Sequence, residues 1–287
     1  LHIGIDIGGS RVKVAWRTAP GSHPSWCIVD AMPLDDPRGW FDRLLPLLPT
    51  RARRAIDSAR LQGVGIAVPG EVRDPGILVQ SPNLPRWRKL AIGPDLSRTL
   101  GVPVHVENDA NMAAVGLLSR PALTSGRLRN VLVVTLGTGV GAGWILDGRL
   151  FRRPPGGEAE IGHCPVAPGG PRCACGRAGC LEALAGGRAL VARASQAGLP
   201  VPDAAALAAA AERGDAVAVR LFAEAGDALG RSCAWVTNLN ATSKFVFVGG
   251  VARARNLILP SLRTAYREAV FASHARRAYF RFPAIRD

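Results

Sequence analysis

The chain has 287 residues, 48% apolar and 20% charged, the composition of a globular protein large enough for one big domain or two lobes rather than of a disordered one. Its 36 lysines and arginines outnumber 22 aspartates and glutamates, a formal charge of +14, which favours anionic partners such as polyphosphate or phosphorylated metabolites. The arginines are scattered rather than blocked, so the excess reads as a solvated basic surface and not a nucleic-acid face. No apolar stretch approaches the roughly 20 residues that cross a bilayer, and "LHIGIDIGG" lacks the basic start of a signal peptide. The expectation is a soluble cytoplasmic protein with neither a membrane nor a nucleic-acid partner.

Taken in chain order, "HIGIDIGGSRVKVAWR" is a hairpin of β-formers around a Gly-Gly turn, and "SWCIVDAMP" supplies a further strand. Helical spacing of Leu, Ile and Phe predicts a helix over about 37–59. "LQGVGIAVPG" reads as a buried strand ending in a turn, and "VPVHVENDANMAAVGLL" as a strand running into a helix with its polar cluster at the junction. The pattern then restarts. Residues 130–152 form a second glycine-punctuated hairpin, followed by helices over about 181–197, 203–213 and 215–238, a strand in "KFVFVGGVA" and a helix to about 272. Two halves that each open with a hairpin and then alternate strand and helix predict two similar α/β lobes with a cleft between them, divided as residues 1–115 and 116–287.

Three glycine turns carry candidate phosphate chemistry. "DIGGS" sets Asp6 at a strand end before Gly8, Gly9 and Ser10, so backbone N–H groups and one hydroxyl can face phosphate oxygens while Asp6 holds the waters of Mg²⁺. "TLGTGVGAG" repeats this with Thr135, Gly137, Thr138 and Gly139, and Gly249–Gly250 form a third pair at a strand end. Each alone reads as an ordinary hairpin glycine; the three in matching places fit a nucleotide cleft. Neither the dinucleotide fingerprint nor the P-loop is present.

"VENDAN" puts Glu107, Asn108 and Asp109 where strand gives way to helix, so that one residue can cap the helix while another faces a substrate alcohol as proton acceptor. Asn83 in "SPNLPRW" offers an amide that can donate and accept, and "GGEAEIGH" adds Glu158, Glu160 and His163. Cys173, Cys175 and Cys180, with His163 ten residues before them, make a Cys₃His set suited to a closed tetrahedral zinc site in the loop 163–182. Free thiols or an oxidised pair are the alternatives, and Cys164 competes for one position. Such a zinc would be structural, fixing the loop and with it the positions of Glu160 and Glu182.

Together "GIDIGGSRVKVA", "SPNLPRW", "VENDANMAA", "TLGTGVGAG", "EIGH", "CACGRAGCLE" and "VFVGGVA" resemble, in order and over nearly the whole chain, the ROK family of sugar kinases and related repressors. The resemblance implies an actin-like (ribonuclease H-like) two-lobed α/β fold with ATP and a hexose in the cleft. It makes Asp109 the general base toward the sugar 6-hydroxyl and gives the other hydroxyls to Asn83, Asn108, Glu160, His163 and Glu182. The phosphate turns become Asp6–Ser10 and Thr135–Gly139, with Gly249–Gly250 beside the adenosine and His163 bridging zinc and sugar. The expected activity is an ATP-dependent, glucokinase-like 6-kinase acting as a homodimer. Alternatives are an amino-sugar kinase, motivated by the extra acid Glu158, a polyphosphate-using glucokinase, and a sugar-responsive regulator, disfavoured because no DNA-binding module precedes the first strand. The sequence departs from the family in Ala159 before "EIGH" and in lacking the usual Gly/Ala-rich closing helix.

Overall fold

The computed structural model describes residues 1–8, 11–17, 24–30, 34–57, 60–81, 84–119, 129–152 and 159–283. The chain divides into two compact units, one holding Leu1–Met112 and Arg152, the other Ala113–Phe151 and Ala159 onward. The expected Gly9, Ser10, Asn83 and Glu158 lie outside the described residues.

In the first unit β1 (His2–Ile7), β2 (Val12–Arg17) and β3 (Ser25–Val29) form an antiparallel meander. Short helices α1 (Trp40–Leu44) and α2 (Thr50–Ile56) follow, then β4 (Gly63–Val68), which pairs parallel to β1. The strands β5 (Glu71–Arg73), β6 (Ile77–Gln80) and β7 (Arg88–Leu90) make a small separate sheet. After α3 (Ile92–Leu100), β8 (Val104–Asn108) pairs parallel to β4 and runs straight into α4 (Asp109–Leu118). The sheet order is β3-β2-β1-β4-β8. Alternation fixes its faces: Ile3, Ile5, Ile7, Val12, Val14, Val64, Ile66, Val68 and Val106 are buried in one core with Trp40, Phe41 and Leu44 of α1. Gly4, Asp6, Gly65, Ala67, His105 and Glu107 therefore come out on the other face.

The second unit repeats the scheme. Strands β9 (Val131–Leu136), β10 (Val140–Leu146) and β11 (Arg149–Leu150) form the meander. Helices α5 (Leu181–Ala185), α6 (Gly187–Gln196), α7 (Ala204–Glu212) and α8 (Ala216–Asn240) intervene before β12 (Lys244–Val248), which pairs parallel to β9; α9 (Arg255–Ala269) then leads to β13 (Tyr279–Arg281), parallel to β12. The order β11-β10-β9-β12-β13 matches that of the first sheet strand for strand. β9 is buried on both faces: Leu132, Val134 and Leu136 pack with the helices α5 to α9, Val131 and Val133 with Ala114 and Leu117 of α4. That explains its unbroken apolar run. The architecture is the two-lobed, actin-like α/β fold.

Several expected elements change shape. The single helix over 37–59 is two helices joined by a 3-10 turn at Leu45–Leu47, because Pro46 and Pro49 lack the N–H a continuous helix needs. The helix over 181–197 breaks at Gly186, whose backbone is extended. The long helix runs Ala216–Asn240, ending two residues later than expected and started by Asp215, whose side chain accepts the Ala218 N–H at 2.9 Å. The small sheet β5–β7 and the edge strand β13 had no counterpart among the expected elements, being too short to show a period.

Candidate functional site

The candidate residues gather where parallel strands end, the position at which α/β sheets bind ligands. In the first unit, cross-strand register lines up Lys13, Asp6, Ala67 and Glu107 in one row across β2, β1, β4 and β8. Their side chains share the face turned away from the core, and the small Ala67 leaves space between the two carboxylates. Met112 of α4 lies over that face, its Cε in van der Waals reach of the position a side chain on Gly65 would take. Burial pushes the Asp6 carboxyl above its ordinary value, with Lys13 pulling it back in part. Beyond β1, the Gly8 N–H donates to the Arg11 carbonyl at 2.8 Å.

At the β8–α4 junction the two roles expected of "VENDAN" fall to particular residues. Asn108 is the cap: its Oδ1 accepts the N–H groups of Ala110 at 2.9 Å and Asn111 at 3.2 Å, and its Nδ2 donates to the Gly70 carbonyl at 3.2 Å. Among the described residues the second Nδ2 hydrogen has no partner, which leaves it for a ligand. Asp109, the first residue of α4, is exposed, with its Oδ1 also accepting the Ala110 N–H at 2.8 Å. The unpaired N–H groups of a helix start favour a carboxylate there. Glu107, named in the sequence without a role, is buried and accepts from the Asn108 N–H at 2.9 Å and from Asn111 Nδ2 at 3.1 Å, and it pairs with Arg152. Among the described residues, Asn111 Oδ1 and Ser81 Oγ are buried without a hydrogen-bond partner.

In the second unit, Val248 of β12 stands in register with Thr135 of β9, so the exposed pair Gly249–Gly250 is beside the turn Thr135–Gly139. Gly249 has φ +103°, and a Cβ there would strike the backbone of Leu136; glycine is what lets the two strand ends meet. The turn is pinned from behind by the start of α6, where the N–H groups of Gly187 and Arg188 donate to the carbonyls of Gly137 at 2.9 Å and Thr138 at 3.0 Å.

The cysteine segment folds as a tight ribbon. Arg172 bridges Ala178, Pro165 bridges Cys180, and the Cys173 N–H donates to Arg177 at 2.7 Å. One ligand atom from each of His163, Cys173, Cys175 and Cys180 lies within 4.8 Å of all the others. His163 Nδ1 faces Cys173 Sγ at 3.6 Å, while Nε2 points to Glu160 at 3.9 Å. The sulfurs of Cys175 and Cys180 are 3.6 Å apart, far beyond the roughly 2.05 Å of a disulfide. All six cysteines are free, and Cys164 turns its thiol to the Glu160 carbonyl instead of the cluster. The four donors fit a tetrahedral soft-metal site, whose Zn–S bonds of about 2.3 Å require sulfurs this close. Burial pushes the Cys180 thiol up to about 12, while hydrogen bonding from the Arg177 backbone lowers exposed Cys175 to about 7.

Glu182, two residues past Cys180, is in the first turn of α5, and its Oε2 accepts the Val140 N–H at 2.9 Å. A Cβ on Gly139 would overlap that carboxylate oxygen. The sequence separates the cysteine loop and Glu182 from the turn Thr135–Gly139; the fold brings them side by side, with Glu182 bonded to the residue that follows the turn. Gly70, Asn111 and Arg152 were missed as site residues. A Pro-Gly turn marks Gly70 only as a turn, and no local spacing connects Arg152 with a residue 45 positions away.

The family model described as the ROK family matches residues 2–284. A glucokinase of Halalkalibacterium halodurans is 30% identical over 99% of this chain and 90% of its own length. An N-acetylmannosamine kinase of Shigella boydii serotype 18 is 31% identical over 98% of this chain and 94% of its own. Among solved structures, a ROK family glucokinase from Streptomyces griseus in complex with glucose and AMPPNP has a TM-score of 0.78 at 31% identity, covering 98% of this chain and 93% of that one. A ROK family transcriptional regulator, a homologue of the E. coli MLC protein, has a TM-score of 0.81 at 28% identity, covering 98% of this chain and 73% of its own. With the family model matching almost end to end, and sugar-phosphorylating relatives aligned over nearly the whole chain, the chain belongs to the ROK family and is one of its sugar kinases.

Proposed function

We propose that the chain transfers the γ-phosphoryl group of ATP to the 6-hydroxyl of glucose or a close analogue, with Asp109 as general base. The observation that carries this is the placement of Asp109: an exposed carboxylate on the first turn of a helix, at the end of a parallel strand, with the neighbouring Asn108 holding the cap. As the sugar oxygen bonds to the γ-phosphorus, the hydroxyl proton passes to Asp109 and ADP leaves with the bond to the γ-phosphorus broken. Asn83, Asn108, Glu160, His163 and Glu182 bind the remaining hydroxyls in this reading. Asp6 with Gly8, Gly9 and Ser10, and Thr135, Gly137, Thr138 and Gly139, hold the phosphates, and Gly249–Gly250 border the adenosine. The lobes of the proposal are residues 1–115 and 116–287, in a cytoplasmic homodimer.

Two metals belong to the proposal. Zn²⁺ held by His163, Cys173, Cys175 and Cys180 has no open position for water and supplies structure, not chemistry. Asp6 would hold the waters of the Mg²⁺ that accompanies ATP, and that ion would supply neutralisation of charge on the transferred group. His163 would use Nδ1 for zinc, leaving Nε2, on the side of Glu160, for the sugar.

An amino-hexose acceptor is the second reading, supported by the N-acetylmannosamine kinase relative. A coupled phosphorylation assay across hexoses, amino hexoses and N-acetylhexosamines, with ATP and polyphosphate as alternative donors, decides acceptor and donor together. No turnover on any sugar, with sugar-dependent DNA binding in a mobility-shift assay, would replace the kinase reading with the regulator's.

A further inference from the structure

We infer that Arg152 is a positioning residue for the Asn108–Asp109 pair, acting through the buried carboxylate of Glu107. This rests on the reading of Asp109 as the proton acceptor. Glu107 is the penultimate residue of β8, with only 6% of its surface exposed, and its two oxygens are divided between different partners. Oε1 accepts the Asn108 N–H and an Asn111 Nδ2 hydrogen, so it grips the last strand residue and the first turn of α4 together. Oε2 faces Arg152, whose Nη2 donates to it. Nη1 of Arg152 reaches Asp74 at 3.3 Å, but that carboxylate is 88% exposed and well screened.

Burying a charge is costly unless it is paired, and Arg152 supplies the pair for Glu107. With Arg152 gone, Glu107 has two courses. It can take a proton, which alters the acceptor that holds the junction. Otherwise it stays charged two residues from Asp109 and raises the pH at which Asp109 can accept a proton. Among the described residues no neighbouring charge replaces the guanidinium. Asp6, in the same row beyond Ala67, and Asp74 have the wrong sign. Lys13 lies three strands away in that row, and Glu71 of β5 is paired with Arg73. His105, two residues earlier on the same face, is exposed. The arginine stands two residues past the end of β11, so a residue outside every recognisable motif sets the charge behind the reacting pair.

The test is the kcat–pH profile, at saturating sugar and donor, of the wild type, Arg152→Ala, Arg152→Lys and the double variant Arg152→Ala/Glu107→Gln. Arg152→Ala should lower kcat near neutrality by about tenfold and move the acid limb up by about one pH unit, with the donor KM unchanged. Arg152→Lys should keep the limb in place, and the double variant, with no buried charge to neutralise, should return it to the wild-type position. An unmoved limb in folded Arg152→Ala, or a shift that survives in the double variant, overturns the proposal. Should Arg152→Ala not fold, Arg152→Gln alone and with Glu107→Gln is judged by the same two criteria. Asp109→Asn separates the layers: normal turnover there removes the proton-acceptor reading and this proposal with it. An inactive Asp109→Asn beside an unmoved Arg152→Ala profile removes only the role of Arg152.

Discussion

The β8–α4 junction and the segment from Glu160 to Glu182 both present carboxylates, yet different forces hold them. At the junction, Asn108 and Glu107 satisfy the open end of a helix with their own side chains, on a strand paired in register to β4. The second segment has a 3-10 turn, two isolated bridges and then α5, and its tightest grouping is four donors around one point. Regular secondary structure supplies the first arrangement from within; the second, in the proposed reading, is held by an ion among its four donors. The junction should therefore behave as a rigid reacting centre, and the cysteine segment as a binding element that can be loosened without unfolding the rest.

The sharpest way to break that contrast is Asp109→Ala. It should reduce kcat by about 10² to 10⁴ or more while calorimetry finds sugar affinity changed only a few-fold. Near-normal turnover would end the assignment of the junction as the reacting centre.

Removing the metal comes next. Chelation, or Cys175→Ala, should abolish metal content and weaken sugar affinity by about tenfold or more. Because Glu182 bonds the Val140 N–H beside the turn 135–139, nucleotide affinity should also weaken, though less. If the metal is gone by elemental analysis and sugar affinity holds, the carboxylates of this segment do not depend on the ion.

A smaller perturbation isolates the bond that joins the segment to the turn. Gly139→Ala would press on Glu182 and displace it from Val140. Losing a charged hydrogen bond of about 1.5 kcal/mol predicts a sugar KM roughly tenfold higher, with zinc content unchanged. Unaltered kinetics would show that Glu182 is held by the metal loop alone.

The smallest effect concerns stability, on the junction's side. Burial raises the Asp6 pKa in the folded protein, so folding favours its neutral form. The unfolded chain gives up that proton first, near pH 4, and stability falls as pH rises from there through the folded value. Asp6→Asn should raise the thermal midpoint at neutral pH, with the gain disappearing below about pH 4, while phosphoryl transfer drops. An equal gain at all pH values would assign the effect to something other than the buried charge.

Much of the fold could be read because its signals are local. The alternation in "HIGIDI" and "VKVAWR", the doubly buried run "VLVVTL" and the caps Asp203 and Asp215 each state their structure within a few residues. The break in the helix predicted over 37–59 was also written there, in Pro46 and Pro49, but apolar spacing masked it. By contrast, β5, β6 and β7 have three or four residues each and gain identity only by pairing with one another.

What the sequence determined by itself was the chemistry on offer: which residues carry acid, amide, thiol and imidazole groups, and which strand ends and helix starts display them. Short-range sterics and hydrogen bonding decide those matters within a turn or two of chain. What only the tertiary structure decided was partnership. It gave Asn108 the cap and left Asp109 exposed, set Asp6 and Glu107 in one row with Ala67 between, brought Arg152 to a carboxylate 45 residues back, and fastened Glu182 to Val140. Those contacts depend on strand register and on where distant segments cross, which no local pattern of residues encodes.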